Sequence, residues 1–209
     1  MVEISQTLDR GLRLLEVLSE SAGGLSVAEA STVLGVNRTI VYRLLATLEQ
    51  HGLVRRASNG RFSVGFGVLS LAGSVHPWLR HVAQPVLRSL AEEIGATAHL
   101  TIADGVEALA VAVVEPTRTD FHVAYRIGSR HPLERGAAGR AILSARVGQP
   151  AYATSTGELE AGAQGVAAPV VAVPGVEASI GVIALGDLDA DVVGPQTMRA
   201  AEELTRRLT

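Results

Sequence analysis

Residues 35–54, GVNRTIVYRLLATLEQHGLV, read as a turn, a helix and an abrupt stop. Asn37 suits the N-cap, because its side-chain oxygen can accept from an orphan backbone N–H, and Gly52 supplies the stop just beyond His51. At about 100° per residue, Val41, Leu44, Leu45 and Leu48 gather within an arc of about 100° and form a core face. Arg38, Thr39, Tyr42, Arg43 and Ala46 fill a separate arc of about 140°. That second face holds no acid, and its one bulky group is amphipathic. Its long cations lie in the first two turns, which reach deepest when a helix enters a groove N-terminus first. Such a face taken alone is more often a solvated surface; the neighbouring sequence changes the reading.

Upstream, Ile4, Leu8, Leu12, Leu15 and Leu18 recur at spacings of three or four and predict an amphipathic helix over 5–21, despite Gly11 within it. Ser26 and Glu29 then form a capping-box pattern that opens a second helix. Its apolar face is Val27, Ala30, Val33 and Leu34, and Gly35 ends it. Only Gly35 and Val36 separate this helix from Asn37, so the two helices must cross, as in a helix-turn-helix. Downstream, Leu53–Arg56 and Arg61–Val64 are short strand patterns, and Asn59-Gly60 favours a type I′ turn between them. The result is a basic hairpin, a wing. Residues 37–61 hold Arg38, Arg43, Arg55, Arg56 and Arg61 against Glu49 alone, an excess that suits a polyanion. Helix pair and hairpin together constitute a winged helix-turn-helix. The expected DNA-binding residues are Arg38, Thr39 and Arg43 for base edges, with Tyr42 reading or clamping the backbone. Asn37 stands at the entering end, and Ser26, Arg55, Arg56 and Arg61 serve phosphate and wing contacts.

The chain has 209 residues, 47% of them apolar, enough for two modest domains. The absence of cysteine excludes disulfides, a zinc ribbon and thiol nucleophiles. No apolar run approaches the roughly 18 residues of a membrane span, and the N-terminal stretch lacks the basic start and apolar block of a signal peptide. The expectation is a soluble, cytoplasmic protein without membrane association. Net charge is −3, but residues 1–66 carry 7 Arg against 6 acids and the remainder 11 Arg against 15 acids, so the basic balance lies in the first third. The histidines, at 51, 76, 81, 99, 122 and 131, form no metal-binding pattern, and no HExxH, P-loop or G-x-S-x-G stretch occurs. No enzyme activity, metal or cofactor is expected. His99 and His122, on adjacent strand patterns, read as hydrogen-bonded core residues.

Residues 67–95 continue helically, with breaks expected before Pro77 and Pro85. Leu69, Leu71, Trp78, Leu79 and Val82 are too many apolar groups for a free linker, so part of this segment should pack against a partner chain or the adjoining domain. Beyond Gly95 the period changes to that of strands: ATAHLTIAD, VEALAVAVVEP and DFHVAYRIG, then, after the helical ERGAAGRAILSAR, QGVAAPVVAVP and EASIGVIALGD. Asp104-Gly105 and Pro174-Gly175 mark hairpins, and a last helix is expected from about Pro195 to Leu208. The predicted architecture is α+β, with an antiparallel sheet in the larger domain. The domain boundaries read as 1–66 for the winged helix, 67–82 for a linker helix and 83–209 for the sheet domain.

The order of these parts resembles the IclR family of bacterial transcriptional regulators. GLSVAEASTVLGVNRTIVYRLLATLEQHGLV is similar to its helix-turn-helix, and NGRFSVGFGVLSLAG to its wing and linker helix. RIGSRHPLERGAAGRAIL and GVAAPVVAVPGVEASIGVIALG are similar to parts of its effector domain. The resemblance implies a winged helix that binds a palindromic double-stranded DNA operator as a homodimer, often assembled to a tetramer, and a GAF-like domain that binds a small effector, often an organic acid. It implies a regulator, a repressor in this reading, whose operator binding the effector modulates. The family's long helical excursion before the VAAPV-like strand is reduced here to about 20 residues, VGQPAYATSTGELEAGAQG. Ile183 and Leu185 stand where serines are frequent, and Glu134 and Arg140 where His and Lys are common.

The expected effector pocket is lined by Val123 and Tyr125 on one strand, Ala137, Ala138 and Gly139 at a helix N-terminus, and Val166 and Ile183 across the sheet. Exposed N–H groups at that terminus could hold an anion. The alternative is that these are close-packed core positions. Arg126 and Arg130 either pair with an acidic effector or flank a turn. A different class of function also remains open: a small-molecule-binding or assembly protein whose winged helix makes protein contacts.

Overall fold

The computed structural model describes residues 4–73, 77–118, 125–171 and 173–209. It divides into two compact units, Met1–His76 and Pro77–Thr209. The expected linker, 67–82, is therefore shared between the units.

The first unit begins with α1 (Gln6–Glu20), α2 (Val27–Leu34) and α3 (Arg38–Gln50). They close on Leu14, Leu18, Ala30, Val41, Leu44, Leu45 and Leu48, joined by Val54 and Phe62. The buried side of α1 is Gly11, Leu14 and Leu18, whereas Ile4, Leu8 and Leu12 are exposed. The predicted stripe was thus displaced around the helix. On that buried side Gly11 faces Leu44 of α3, at ordinary contact distance from where a Cβ would stand. Between α2 and α3, Gly35 adopts φ 64°, a left-handed conformation that glycine reaches without Cβ strain. Ser31 braces the turn, its hydroxyl donating to the Val36 carbonyl at 2.6 Å.

Strands β1 (Val54–Arg56) and β2 (Phe62–Val64) pair antiparallel, Arg55 opposite Ser63. The connection differs from the expected two-residue type I′ turn. Gly60 N–H donates to the Ala57 carbonyl and Ala57 N–H to the Arg61 carbonyl, with Gly60 at φ 79°. This is a longer loop that places a left-handed glycine after a tight turn, and Asn59 supports it by accepting from Arg61 N–H rather than by occupying a central primed position. Helix α4 (Gly67–Gly73) follows, with Leu69 and Leu71 exposed.

In the second unit, α5 (Pro77–Ile94) runs through Pro85 without the expected break. Pro85 lies on the exposed side, where the carbonyl it leaves unmatched meets water, while Leu79, Ala83, Val86, Leu87 and Leu90 on the other side are buried. The break expected before Pro77 falls at residues outside the described set. The sheet comprises β3 (Thr97–Asp104), β4 (Glu107–Val114), β5 (Arg130–Pro132), β6 (Ala153–Thr156), β7 (Ala163–Val170) and β8 (Ala178–Leu185). Its order is β5-β4-β3-β8-β7-β6, and every pair is antiparallel, as the α+β expectation required. The short strands β5 and β6 carry little apolar alternation and escaped the sequence reading. The expected strand 120–128 falls mostly outside the described residues, and its end, 125–128, is irregular, with a turn at Ile127 and Gly128.

Helices α5 and α7 (Ala190–Leu208) cover one face of the sheet, through Leu87, Leu100, Val166, Ile180, Val182 and Leu204. Helix α6 (Gly136–Arg146) covers the other through Ala137, Ala138, Ala141 and Ala167. Helix α7 starts five residues before the expected Pro195. Asp189 caps it by accepting from Asp191 N–H, and Pro195 sits on its exposed side.

Candidate nucleic-acid interface and ligand cleft

The face of α3 divides as its periodicity predicts: Val41, Leu44, Leu45 and Leu48 are buried, and Arg38, Thr39, Tyr42 and Arg43 are exposed. Asn37 caps the helix, its Oδ1 accepting from Thr39 N–H at 2.9 Å. Asn37 is thereby committed to ordering the end of α3. No acid lies in the first turn, so the helix dipole and Arg38 present a positive end.

The wing cations separate into two kinds. Arg55 and Arg56 are exposed, their guanidinium groups resting 5.7 Å from the centre of the Phe66 ring and 5.5 Å from that of Phe62. This stacking positions the charge without neutralising it. Arg61 is engaged internally. It donates to the carbonyls of Gly23 and Gly24 and pairs with Glu29 at 2.9 Å. Glu29 in turn accepts from Ser26 N–H at 2.7 Å while Ser26 Oγ accepts from Glu29 N–H, completing the capping box. These bonds, the one from Ser26 N–H first, hold the Glu29 carboxyl down at about 2. Ser26 and Arg61, both expected as phosphate contacts, tie the wing to the start of α2.

In the second unit a cleft of about 360 Å³ opens beside β5 and the start of α6. Tyr125, Arg130 and Ile183 line it, together with Arg126, Arg135 and His131. Four of the residues expected to line a pocket do not line this cleft. Ala137 and Ala138 are each only 5% exposed, and a Cβ on Gly139 would stand 2.2 Å from the Leu133 carbonyl oxygen, so all three are close-packed against their neighbours. Val166 is opposite Val182 and packs beneath α5 and α7, whereas Ile183 is opposite Gly165 and faces the other way. Residues one register step apart lie on opposite faces of a sheet; Gly165 and Ala167 are on the side of α6. Val123 lies outside the described residues.

Arg130 is held by Asp104 at 2.7 Å and Glu107 at 3.2 Å, which fastens β5 to the β3–β4 turn. Of the two arginines weighed as effector contacts, only Arg126 lacks an ion-pair partner among the described residues. The N-terminus of α6 is filled from within the chain. Gly136 N–H donates to Glu158 at 2.9 Å, and Arg140 holds both Glu158 oxygens at 2.7 Å. Arg140 first and the Gly136 amide second draw the Glu158 carboxyl down to about 2.

Under the cleft lies His99, the hydrogen-bonded core residue that the sequence predicts, whereas His122, expected in the same role, lies outside the described residues. His99 bonds through Nδ1 to Thr101 Oγ1 at 3.1 Å and tilts against the Tyr125 ring at 5.0 Å. Burial, with the nearby His131, lowers His99 to about 4 and so keeps it neutral. Burial raises the Tyr125 hydroxyl, against the opposing effect of its bond to Thr101. His131 is 8% exposed, and its Nε2 has no hydrogen-bond partner among the described residues. Glu158 carried no sequence signal, because its partners Arg140, Gly136 and Arg135 are 18 to 23 residues away along the chain.

Among the described residues no helix is long and apolar enough to cross a membrane, and no three acidic or imidazole groups gather as metal ligands. Comparison with known proteins gives one consistent result. Residues 7–58 match the IclR helix-turn-helix domain, and residues 74–149 match the bacterial transcriptional regulator IclR C-terminal domain. The acetate operon repressor of Salmonella typhimurium is 32% identical over 144 residues, covering 66% of this chain and 52% of that protein. The HTH-type transcriptional regulator KipR of Bacillus subtilis is 32% identical over 142 residues, 67% of this chain and 56% of that protein. The chain thus spans about half the length of these curated relatives. Among solved structures, an IclR transcriptional regulator from Alicyclobacillus acidocaldarius superimposes with a TM-score of 0.79 at 20% identity, covering 99% of this chain and all of the other. An IclR homologue from Microbacterium hydrocarbonoxydans complexed with 4-hydroxybenzoate gives 0.81 at 17% identity, covering 97% and 99%. With both units matched by models of one family, and the antiparallel α+β fold shared with its solved members, the chain belongs to the IclR family of bacterial transcriptional regulators.

Proposed function

We propose that the protein is a cytoplasmic, non-enzymatic transcriptional regulator that binds double-stranded DNA as a dimer, a repressor whose operator affinity a small molecule modulates. The observation that carries this reading is the exposed, acid-free face of α3, with Arg38, Thr39, Tyr42 and Arg43 set opposite its buried leucines. A helix of that kind fits a major groove, with Arg38 and Arg43 offered to guanine edges and Arg55 and Arg56 to the flanking phosphates. Two such helices in a homodimer, alone or paired into a tetramer, would read a partly palindromic site. The names of the curated relatives, repressors and regulators, support the same assignment. For the effector, the supporting features are the cleft at Tyr125, Arg126, His131 and Ile183 and the 4-hydroxybenzoate carried by one structural neighbour.

The test is selection of bound sequences from a random duplex pool, followed by titration of the best site at two salt concentrations. A paired half-site motif is expected, with log K falling by about 0.9 per phosphate contacted for each decade of salt. Flat enrichment, with or without a metabolite extract, would instead favour a winged helix used for protein contacts.

A further inference from the structure

The β6–β7 loop, residues 157–162, lies over the cleft and is bounded by two left-handed glycines, Gly157 at φ 65° and Gly162 at φ 78°. Within it Glu158 is fastened at three points. Its carboxylate accepts from Gly136 N–H and from both terminal nitrogens of Arg140, and its carbonyl accepts from Arg135. The next residue, Leu159, packs where a side chain on Gly136 would be, with Leu159 Cδ1 2.9 Å and His131 Cε1 3.4 Å from that position. Leu159 and His131 are therefore neighbours at the mouth of α6, and both line the cleft.

His131 points to what the cleft accepts. Its Nδ1 stands 3.1 Å from the Pro132 carbonyl, which can only accept, so Nδ1 carries the proton. In the neutral ring Nε2 is then an acceptor, and it is buried without a partner among the described residues. An unmatched buried acceptor costs free energy that a hydrogen-bond donor from a ligand would recover.

Building on the effector reading above, we propose that loop 157–162 is a latched lid whose Glu158 occupies the anion position at the start of α6. A small hydroxycarboxylic acid displaces it, its carboxylate taking Gly136 N–H and Arg140 and its hydroxyl donating to Nε2 of His131. The latch makes the ligand-competent, open form a minor population, so that apparent affinity is reduced by the open fraction. The lid also gives the ligand a differential contact: Glu158 is seated in the empty form and released in the bound form.

The experiment uses the full chain in two arms. Hydrogen exchange without ligand compares wild type with Glu158→Gln. Faster exchange at the Gly136 amide and across 157–162, with α5 and α7 unchanged, is expected; equal exchange in both proteins overturns the latch. Calorimetry then titrates lactate and 3-hydroxybutyrate against propionate and butyrate into wild type, Glu158→Gln and His131→Phe. Glu158→Gln is expected to bind the hydroxy acids about tenfold tighter or more. His131→Phe is expected to bind acid and hydroxy acid alike. A loosened lid that binds none of the four acids overturns the ligand assignment, and a hydroxyl preference that survives His131→Phe overturns the role of His131. Operator selection judges the regulator reading separately, since neither position lies in the winged-helix unit.

Discussion

Arg38 and Arg61 are the same residue type in one small domain, and their neighbours give them different work. Arg38 begins α3 with no acid in the first turn, whereas Arg61 holds Glu29 and two glycine carbonyls. If Arg38 makes a bidentate guanine contact, Arg38→Ala costs about 1 to 3 kcal/mol of DNA affinity and relaxes preference at one base position, read by comparing the selected motifs of the two proteins. Arg61→Ala instead lowers stability, by about 1 kcal/mol in denaturant unfolding, because a partly exposed pair with charge-assisted bonds is lost. His99 provides a pH signature. Its folded value of about 4 lies below its usual 6.5, so the unfolded chain takes up the proton first as pH falls. The stabilisation is complete above about 6.5 and is lost as pH drops towards 4, on the order of 3 kcal/mol. His99→Gln should flatten that part of the stability profile, and a slope unchanged by the substitution would assign it to another group. None of these differences could be read from residue type, since each depends on a partner brought in from elsewhere in the chain.

Helices α3 and α6 were equally visible in the chain, yet only α3 was read correctly in what it presents. The α3 periodicity assigns each side chain to core or solvent with no knowledge of the partner, because one face must be buried and the other need not be. For α6, small residues were compatible either with room for a ligand or with close approach of the sheet, and the structure has the second. Gly139→Ala should therefore be destabilising, by about 1 to 3 kcal/mol, as the added methyl meets the Leu133 backbone. A variant as stable as wild type in thermal unfolding would mean that α6 can withdraw from the Leu133 backbone. The same reasoning explains Val166: alternation along β7 was legible, but which of its two faces met α6 required the register with β8. At the start of α3, Asn37→Ala should cost about 1 kcal/mol, measured in the winged-helix unfolding transition, through loss of the bond to Thr39 N–H.

Across the molecule, the winged helix and the sheet domain occupy separate compact units, each with its own core. Glu158 gives the second unit a pH limit of its own. Its folded value of about 2 lies below the ordinary 4.5, so the bonds to Arg140 and Gly136 persist at neutral pH and are lost only as pH falls from about 4.5 towards 2. Exchange across 157–162 should consequently be insensitive to pH between 6 and 8, once the intrinsic rate is divided out, and a change within that window would assign the lid to another titrating group. Apolar periodicity, caps and turn residues were sufficient for the winged helix, the antiparallel α+β domain and the exposed face of α3, because those features follow from contacts a few residues apart and from the demand to bury one face. The cleft, the buried Nε2 of His131, the filled terminus of α6 and the separation of exposed from engaged arginines were decided by the tertiary structure alone. They depend on β5, α6 and the β6–β7 loop meeting at one place, and no local pattern encodes a contact between segments that only the sheet brings together.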